Sequence, residues 1–264
     1  MRLILLATLP FLLLACGSST DAVAETEQPD SYTDVSVDES KTADTARIIP
    51  IMHGSIVFQS DDVNVYVDPY GGGELYEGLP APDLVVITHP HGDHLDPKTL
   101  GALDISAAEL LAPQAVIDKL GELSFDKITK MDNGDQLTRS GIMIDAMPMY
   151  NLPEDETSRH KKGWGNGYVI TMGDRRHYIS GDTEDIEEMR NLKDIDVAFV
   201  CMNIPYTMPV ERAADAVSAF QPAIVYPYHY RNGDKTFGDV ENFKKLVNSK
   251  TPDVEVRLAN WYPK

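Results

Sequence analysis

The sequence predicts an α/β protein in which two β-sheets pack together and carry helices on their outer faces. Runs rich in Val, Ile and Tyr, bounded by turn residues, dominate the first half of the chain. In the second half such runs alternate with helix-like segments. One run in the first half leads directly into a cluster of histidines, so this loop at the end of a strand is where chemistry is expected.

The individual elements follow from local patterns. The predicted strands are, in chain order, RIIPIM, SIVFQS, VNVYVD, DLVVITH, GIMIDAMPMY, GYVITMG, RHYISGD, DVAFVCM, AIVYPYHY and VEVRLA. Asp96 and Pro97 form a good N-cap and first-turn pair, which predicts a helix that ends near Leu103. Further helices are predicted at about residues 113–120, 183–191, 209–220 and 238–248.

The charge of the chain limits its partners. The net charge is −19 over 264 residues. A protein this acidic is repelled by the phosphate backbone of nucleic acids, so nucleic acid is not expected as a partner. A small-molecule substrate is expected instead.

The first 15 residues have the pattern of an export signal. Arg2 precedes an apolar run that is shorter than the roughly 20 residues that span a bilayer. The run ends in Leu-Leu-Ala before Cys16 and Gly17, which resembles a bacterial lipobox. Residues 1–15 are therefore interpreted as a lipoprotein signal peptide, with a lipid on Cys16 as a membrane anchor. This predicts a location in the bacterial cell envelope, at the outer membrane if the cell is Gram-negative.

The rest of the chain divides into a tether and a folded body. Residues 16–46 are rich in Ser, Thr, Asp and Glu, and they have too few apolar side chains to offset their ordering entropy. They are predicted to be a disordered acidic linker, whereas residues 47–264 are predicted to form one continuous domain. Cys201 lies in an apolar run and is expected to be a small buried side chain.

The histidine cluster is the strongest chemical signal. Three of the seven histidines of the chain fall within residues 89–94. In an extended segment His89 and His91 point the same way and can hold one ion. Asp93 and His94 follow the flexible Gly92 and can reach a second ion. Imidazole and carboxylate ligands suit zinc and its neighbours in the first transition row.

Two later residues are candidates to complete such a site. Asp182 lies in a Ser-Gly-Asp-Thr turn, where its carboxylate could bridge two ions roughly 3.5–4 Å apart. The alternative is that Asp182 caps a helix. His229 ends a strand-like run, and it is either a ligand or a buried histidine bonded to the backbone.

Taken together, the H-x-H-x-D-H cluster, a later histidine, the G-D-T aspartate and a late histidine resemble the metallo-β-lactamase superfamily. The detail is similar to its lactonase-like and phospholipase D-like branch, over the chain from Arg47 onward. This resemblance implies a four-layer αβ/βα sandwich with two divalent metal ions. Zinc is the expected metal, and manganese or iron is the alternative.

The resemblance also implies a role for each site residue. The implied ligands are His89, His91 and a third histidine for the first ion, Asp93, His94 and His229 for the second, and Asp182 between them. The third histidine is assigned to His160, although Asn151 stands where related branches have a histidine. Asp68 is implied to support the metal loop without binding metal. His53 is either a residue that supports the ligands or a plain turn histidine.

The implied activity is metal-dependent hydrolysis of an ester, lactone, amide or phosphodiester, with Asp93 orienting the attacking water. A mononuclear iron dioxygenase of the same fold and a non-catalytic metal-binding lipoprotein are the alternatives. Further candidates are Lys161, Lys162 and Arg231 for an anionic substrate group, and Trp164, Tyr206 and Tyr228 for pocket walls. His177 is expected at the surface. The oligomeric state and the substrate stay open.

Overall fold

The computed structural model describes residues 46–263 of the chain. The predicted signal peptide, Cys16 and nearly all of the predicted acidic linker lie outside these residues. In the part that is described, no helix is long and apolar enough to cross a membrane.

The first sheet has six strands in sequential order. They are β1 (Arg47–Met52), β2 (Ser55–Gln59), β3 (Asn64–Val67), β4 (Leu84–Val86), β5 (Glu109–Ala112) and β6 (Lys127–Lys130). Strands β1 to β3 are antiparallel, and β3 to β6 run parallel. Its parallel part therefore directs the loops after the strands to one edge.

The second sheet has seven strands in the order β13-β12-β11-β10-β9-β8-β7. They are β7 (Gln136–Arg139), β8 (Ile142–Met149), β9 (Gly165–Met172), β10 (Arg175–Ile179), β11 (Val197–Cys201), β12 (Ile224–Tyr228) and β13 (Glu255–Val256). Strands β7 to β10 are antiparallel, and β10 to β13 run parallel. Cys201, at the end of β11, is fully buried with a free thiol.

Within residues 46–263, five α-helices accompany the sheets. They are α1 (Pro97–Ala102), α2 (Gln114–Ile117), α3 (Glu187–Arg190), α4 (Val210–Phe220) and α5 (Val240–Lys250). Asp96 caps α1 by accepting a hydrogen bond from the Lys98 N–H, and Asp239 caps α5 in the same way.

The side chains of β2 alternate between two apolar layers, and this alternation defines the layer order. Phe58 faces the second sheet, where its ring meets Phe199 edge-on at 5.9 Å between centroids. The next side chain towards the N-terminus, Val57, belongs to the core under α1 and α2. On the far face of the second sheet, Tyr178 meets Phe220 of α4 at 5.9 Å. The predicted αβ/βα sandwich is confirmed.

Three strands were absent from the sequence prediction, namely β5, β6 and β7. Strands β6 and β7 have mostly exposed or half-exposed side chains and little apolar alternation, so they lack the pattern of a half-buried strand. The helix predicted at 183–191 forms only as the short α3. Thr183 Oγ1 and the Glu184 N–H both donate to the carbonyl of Tyr150 instead of starting a helix.

The expectation that His177 lies at the surface is wrong. Its ring is buried between the sheets, 5.0 Å from the ring of Phe58, and its Nδ1 lies 3.1 Å from the Ile170 carbonyl oxygen. Burial lowers the pKa of His177 to about 4. Two arginines precede His177 and suggested exposure, but Arg175 lies at the exposed end of β10 and Arg176 points to the opposite face of the strand.

Candidate metal centre

The two sheets bring the predicted site residues to a common edge. The histidine loop follows β4, Asp182 follows β10, and His229 follows β12. All three strands belong to the parallel parts of their sheets, so the loops after them open on the same side. His160 comes from the long loop between β8 and β9.

Three histidines, His89, His91 and His160, form the first donor group. His89 Nε2 lies 2.9 Å from His91 Nδ1, and His160 Nε2 lies 3.2 Å from the same atom. Ligand nitrogens around one tetrahedral zinc are about 3.3 Å apart, since each Zn–N bond is about 2.0–2.1 Å. The three nitrogens are therefore spaced for one common ion.

The second donor group consists of Asp93, His94 and His229. The two imidazole Nε2 atoms lie 3.0 Å apart, and Asp93 Oδ2 lies 3.6 Å from His229 Nε2. The side chain of Asp93 is 37% exposed, whereas both histidines are buried. Asp93 is thus the carboxylate of the site that solvent reaches.

Asp182 lies between the two groups and turns one oxygen to each. Its Oδ2 is 3.9 Å from His89 Nε2 and 3.5 Å from His160 Nε2. Its Oδ1 is 3.4 Å from the Nε2 atoms of both His94 and His229. Helix α3 begins only at Glu187, so the alternative role of Asp182 as a helix cap is excluded.

The donor atoms fit bound cations. Among residues 46–263, Asp182 Oδ1 is a buried side-chain oxygen without a hydrogen-bond partner. Two imidazole nitrogens 3.0 Å apart need a proton or a cation between them, because their lone pairs repel each other. A set of imidazoles and carboxylates at these distances suits divalent transition metals.

The pKa values of the first group favour the ligand form. Burial holds the pKa of His89 well below its ordinary value, lowers that of His91 and lowers that of His160 to about 4. At neutral pH these rings are therefore uncharged and keep a lone pair for a metal. His94 differs, because the charges of Asp182 and Asp68 outweigh its burial and raise its pKa.

Asp68 holds the histidine loop in position through hydrogen bonds to Thr88 and a contact with His94. It is fully buried and accepts hydrogen bonds from the Thr88 N–H at 2.7 Å and from Thr88 Oγ1 at 2.6 Å. Its Oδ2 also lies 2.7 Å from His94 Nδ1. This contact orients the ring so that His94 Nε2 faces the site.

Asn151 supports His160 directly. Its Oδ1 accepts a hydrogen bond from the His160 N–H at 2.9 Å and lies 3.1 Å from His160 Nδ1. Its Nδ2 donates to the Tyr206 carbonyl. Of the two residues that the sequence left open, His160 points into the first donor group and Asn151 lies behind it.

His53 occupies a similar place beside the second donor group. Its Nε2 lies 3.2 Å from Asp93 Oδ2, and its ring stacks on His229 at 3.7 Å between centroids. On the other side, His53 Nδ1 lies 2.7 Å from Tyr262 Oη. The nitrogen that faces Asp93 is close enough to reach an ion held there, so His53 can act on that ion directly or through Asp93.

The backbone around the second group is held in an uncommon conformation. His53, Asp68 and His229 all have positive φ angles, of 59°, 45° and 48°. Such residues cost free energy unless the surroundings hold them, and they are concentrated at functional sites. Here the His53 N–H donates to the Trp261 carbonyl, and the His229 N–H donates to the His53 carbonyl.

The other candidates from the sequence divide into two sets. Tyr228 is a packing residue, because it is fully buried and its Oη accepts a hydrogen bond from the Gly181 N–H. Trp164 and Tyr206 are half-buried, and the Trp164 ring lies 5.0 Å from that of His91. The charged candidates have these partners: Glu156 for Lys161, Glu188 for Lys162, and the ring of Tyr262 for Arg231.

Two residues near the site escaped the sequence analysis. Tyr262 follows His53 by 209 residues, and nothing in its local sequence indicates the contact. Arg159 precedes His160 directly, and this adjacency was a usable signal. Its guanidinium carbon lies 4.4 Å from the centroid of the Tyr206 ring.

Comparison with known proteins agrees with this architecture. A family model described as a beta-lactamase superfamily domain matches residues 47–229. The chain is also similar to a protein of Parabacteroides distasonis whose crystal structure is described as that of a metal-dependent hydrolase. The two sequences are 39% identical, the TM-score is 0.70, and the match covers 81% of this chain and 93% of that one. A metal-dependent hydrolase of Aeropyrum pernix is 30% identical over 81% of this chain and 94% of its own length.

A metal-dependent hydrolase of Pyrococcus horikoshii is 31% identical over 64% of this chain and 75% of its own length. The resemblance to the metallo-β-lactamase superfamily is thereby confirmed on sequence and on fold. The chain belongs to the beta-lactamase superfamily, among relatives that are named metal-dependent hydrolases.

Proposed function

We propose that this protein is a hydrolase that works with two divalent metal ions, zinc being the expected metal. The first donor group would hold one ion and the second donor group the other, and Asp182 would be a ligand to both. The names of the relatives support the hydrolase activity, and the distances within the two donor groups support two ions.

The observation that carries this proposal is the position of Asp182. A buried carboxylate with one oxygen towards each set of histidines is the arrangement of a bridging ligand. Two sets of donors on either side of one shared carboxylate favour two ions over one. Charge interactions with His229 and His94 keep the pKa of Asp182 low in spite of its burial, so the carboxylate is ionised and available.

Bound divalent ions lower the pKa of a coordinated water to near 7 and stabilise negative charge that develops on a substrate oxygen. The protein supplies the groups around them. Asp93 is partly exposed, and contacts with His229 and His53 keep its pKa low despite its partial burial. It therefore stays ionised and can orient the attacking water by accepting a hydrogen bond. Esters, lactones, amides and phosphodiesters are the bonds that suit this chemistry.

The test is the metal content of the purified protein, measured by inductively coupled plasma mass spectrometry. We expect about two ions per chain in the unaltered protein and in the control Asp174→Ala, which alters an exposed aspartate of the β9–β10 turn. Asp182→Ala should lose metal and hydrolytic activity together. An active Asp182→Ala protein with its full metal content would contradict the proposal, and a single iron with oxygen consumption would support a dioxygenase.

We also propose, from the N-terminal sequence alone, that Cys16 carries a lipid that holds the enzyme at the cell envelope. Labelling of cells with a palmitate analogue tests this. The Cys16→Ser variant should not incorporate the label and should be absent from the membrane fraction. Unchanged labelling of this variant would refute the lipid anchor.

A further inference from the structure

The loop between β8 and β9 contains one basic side chain without an acidic partner. Lys161 lies 3.2 Å from Glu156, and Lys162 lies 2.9 Å from Glu188. For Arg159, the described part of the chain offers no carboxylate within 4.0 Å. The guanidinium is exposed and permanently charged, so it is available to a ligand.

Arg159 is held in place by the same residues that hold His160. Its guanidinium lies over the ring of Tyr206, and the Tyr206 carbonyl accepts a hydrogen bond from Asn151 Nδ2 at 2.9 Å. Asn151 Oδ1 in turn accepts the His160 N–H. The guanidinium is thus connected to a ligand of the first ion through two side chains, which reduces the ordering cost of binding.

Arg159 directly precedes His160 in the chain, so it lies next to the first donor group. Trp164 of the same loop faces two histidines of that group, with ring centroids 5.0 Å from His91 and 6.5 Å from His160. The loop therefore brings a cation and a flat aromatic surface to the first donor group.

Two exposed apolar side chains lie close in sequence to the hydrogen bond that joins this loop to Tyr206. Leu152 is 39% exposed and Ile204 is 48% exposed, and they are two of three large apolar side chains with high exposure in residues 46–263. Each is close in sequence to one end of the Asn151–Tyr206 hydrogen bond. Exposed apolar side chains grouped at one place indicate a contact with a ligand.

We infer that the substrate is a small organic anion with an apolar part, and that Arg159 binds its carboxylate or phosphate group beside the first ion. Arg binds planar or tetrahedral oxyanions through paired N–H donors. The net charge of −19 repels anionic ligands from the protein, and the unpaired guanidinium of Arg159 counteracts this repulsion locally. The inference rests on the proposed function, because it assumes that substrate binds at the metal site.

The test is calorimetric titration of the metal-loaded full chain with phenylphosphonate and, separately, with benzoate. Arg159→Gln should weaken binding of the preferred anion about tenfold, as expected for loss of a charged hydrogen-bonding pair. The matched control Arg175→Gln makes the same chemical change at an exposed arginine at the start of β10, the end of that strand away from Asp182, and should change binding less than twofold. The metal ions contribute equally in these proteins, so their difference measures the guanidinium.

Stronger dependence on Arg159 for phenylphosphonate than for benzoate would identify phosphate as the group, and the reverse would identify carboxylate. Equal binding by Arg159→Gln and the unaltered protein would overturn the inference, as would the absence of measurable binding of either anion. Turnover of 4-nitrophenyl acetate and bis(4-nitrophenyl) phosphate by the unaltered protein is measured in parallel. Because anion binding needs no turnover, failure of the hydrolase proposal is distinguished from failure of the inference.

Discussion

Asn151 Oδ1 accepts a hydrogen bond from the backbone N–H of His160 and also lies 3.1 Å from the imidazole Nδ1 of the same residue. One amide therefore fixes both the position and the rotation of a residue nine positions later. Loss of a contact of this kind behind a metal ligand typically lowers metal affinity or activity by about 10- to 100-fold.

Replacement of this amide should weaken the first metal position. We expect Asn151→Ala to lower the affinity for one of two ions by about 10- to 100-fold, as measured by competition with a fluorescent chelator. Asn248→Ala, an exposed change in α5, is the control and should bind both ions as before. Unaltered affinity in Asn151→Ala would show that His160 needs no support or is no ligand.

The approach of β9 to the histidine loop requires a glycine. A Cβ atom at Gly165 would lie 2.8 Å from His89 Cβ and 3.0 Å from Met149 Sδ. We expect Gly165→Ala to cost about 1–3 kcal/mol of unfolding free energy and to weaken metal binding. At Gly101, inside α1, a Cβ meets nothing within 4 Å, so Gly101→Ala should be neutral or stabilise by up to about 1 kcal/mol. Urea unfolding and metal analysis of both variants would measure the contrast.

Removal of the Tyr262 hydroxyl should affect the second metal position selectively. Tyr262→Phe takes away the partner of His53 Nδ1, so His53 and its neighbour Asp93 lose a fixed orientation. We expect a metal content below two per chain at limiting zinc. The control Tyr66→Phe also removes one tyrosine hydrogen bond, to the Pro80 carbonyl. It should lower the stability of the fold without loss of metal. Equal metal content in both variants would contradict this assignment.

Because His177 is buried and uncharged, we expect the protein to lose stability in weak acid. Its pKa is about 4 in the folded protein and near 6.5 in the unfolded chain, so below pH 6.5 the unfolded state binds more protons. The resulting loss is about 2 kcal/mol at pH 5 and continues until the pH approaches 4. In His177→Leu, the difference in unfolding free energy between pH 7 and pH 5 should shrink by about this amount. A difference equal to that of the unaltered protein would contradict the buried, neutral state.

The donor residues that are close together in the chain can be recognised from the sequence. His89, His91, Asp93 and His94 are close in the chain, and the strand before them has a clear apolar pattern. The fold class follows for the same reason, since most strands have recognisable alternation or burial. The strands that escaped are short ones, such as β6, whose exposed charged side chains give no periodic signal.

Residues that act through the tertiary fold were out of reach. Tyr262 meets His53 across 209 residues, and Arg159 meets Tyr206 only because two loops are joined by Asn151. Single-chain patterns record spacing along the sequence, whereas these contacts depend on how loops from different strands meet. The assignment of His160 also needed the fold, because its distance from Asn151 along the chain does not reveal which side chain points inward.

The contact of Trp261 and Tyr262 with His53 has a consequence for how the centre is assembled. All three members of the first donor group lie within residues 89–160, whereas the second group includes His229. His53, which contacts the second group, is positioned by Trp261 and Tyr262 near the end of the chain. During synthesis the first donor group therefore leaves the ribosome well before the second group is complete. The second group receives its support from His53 last, once Tyr262, beyond the final strand, has reached the sheet edge.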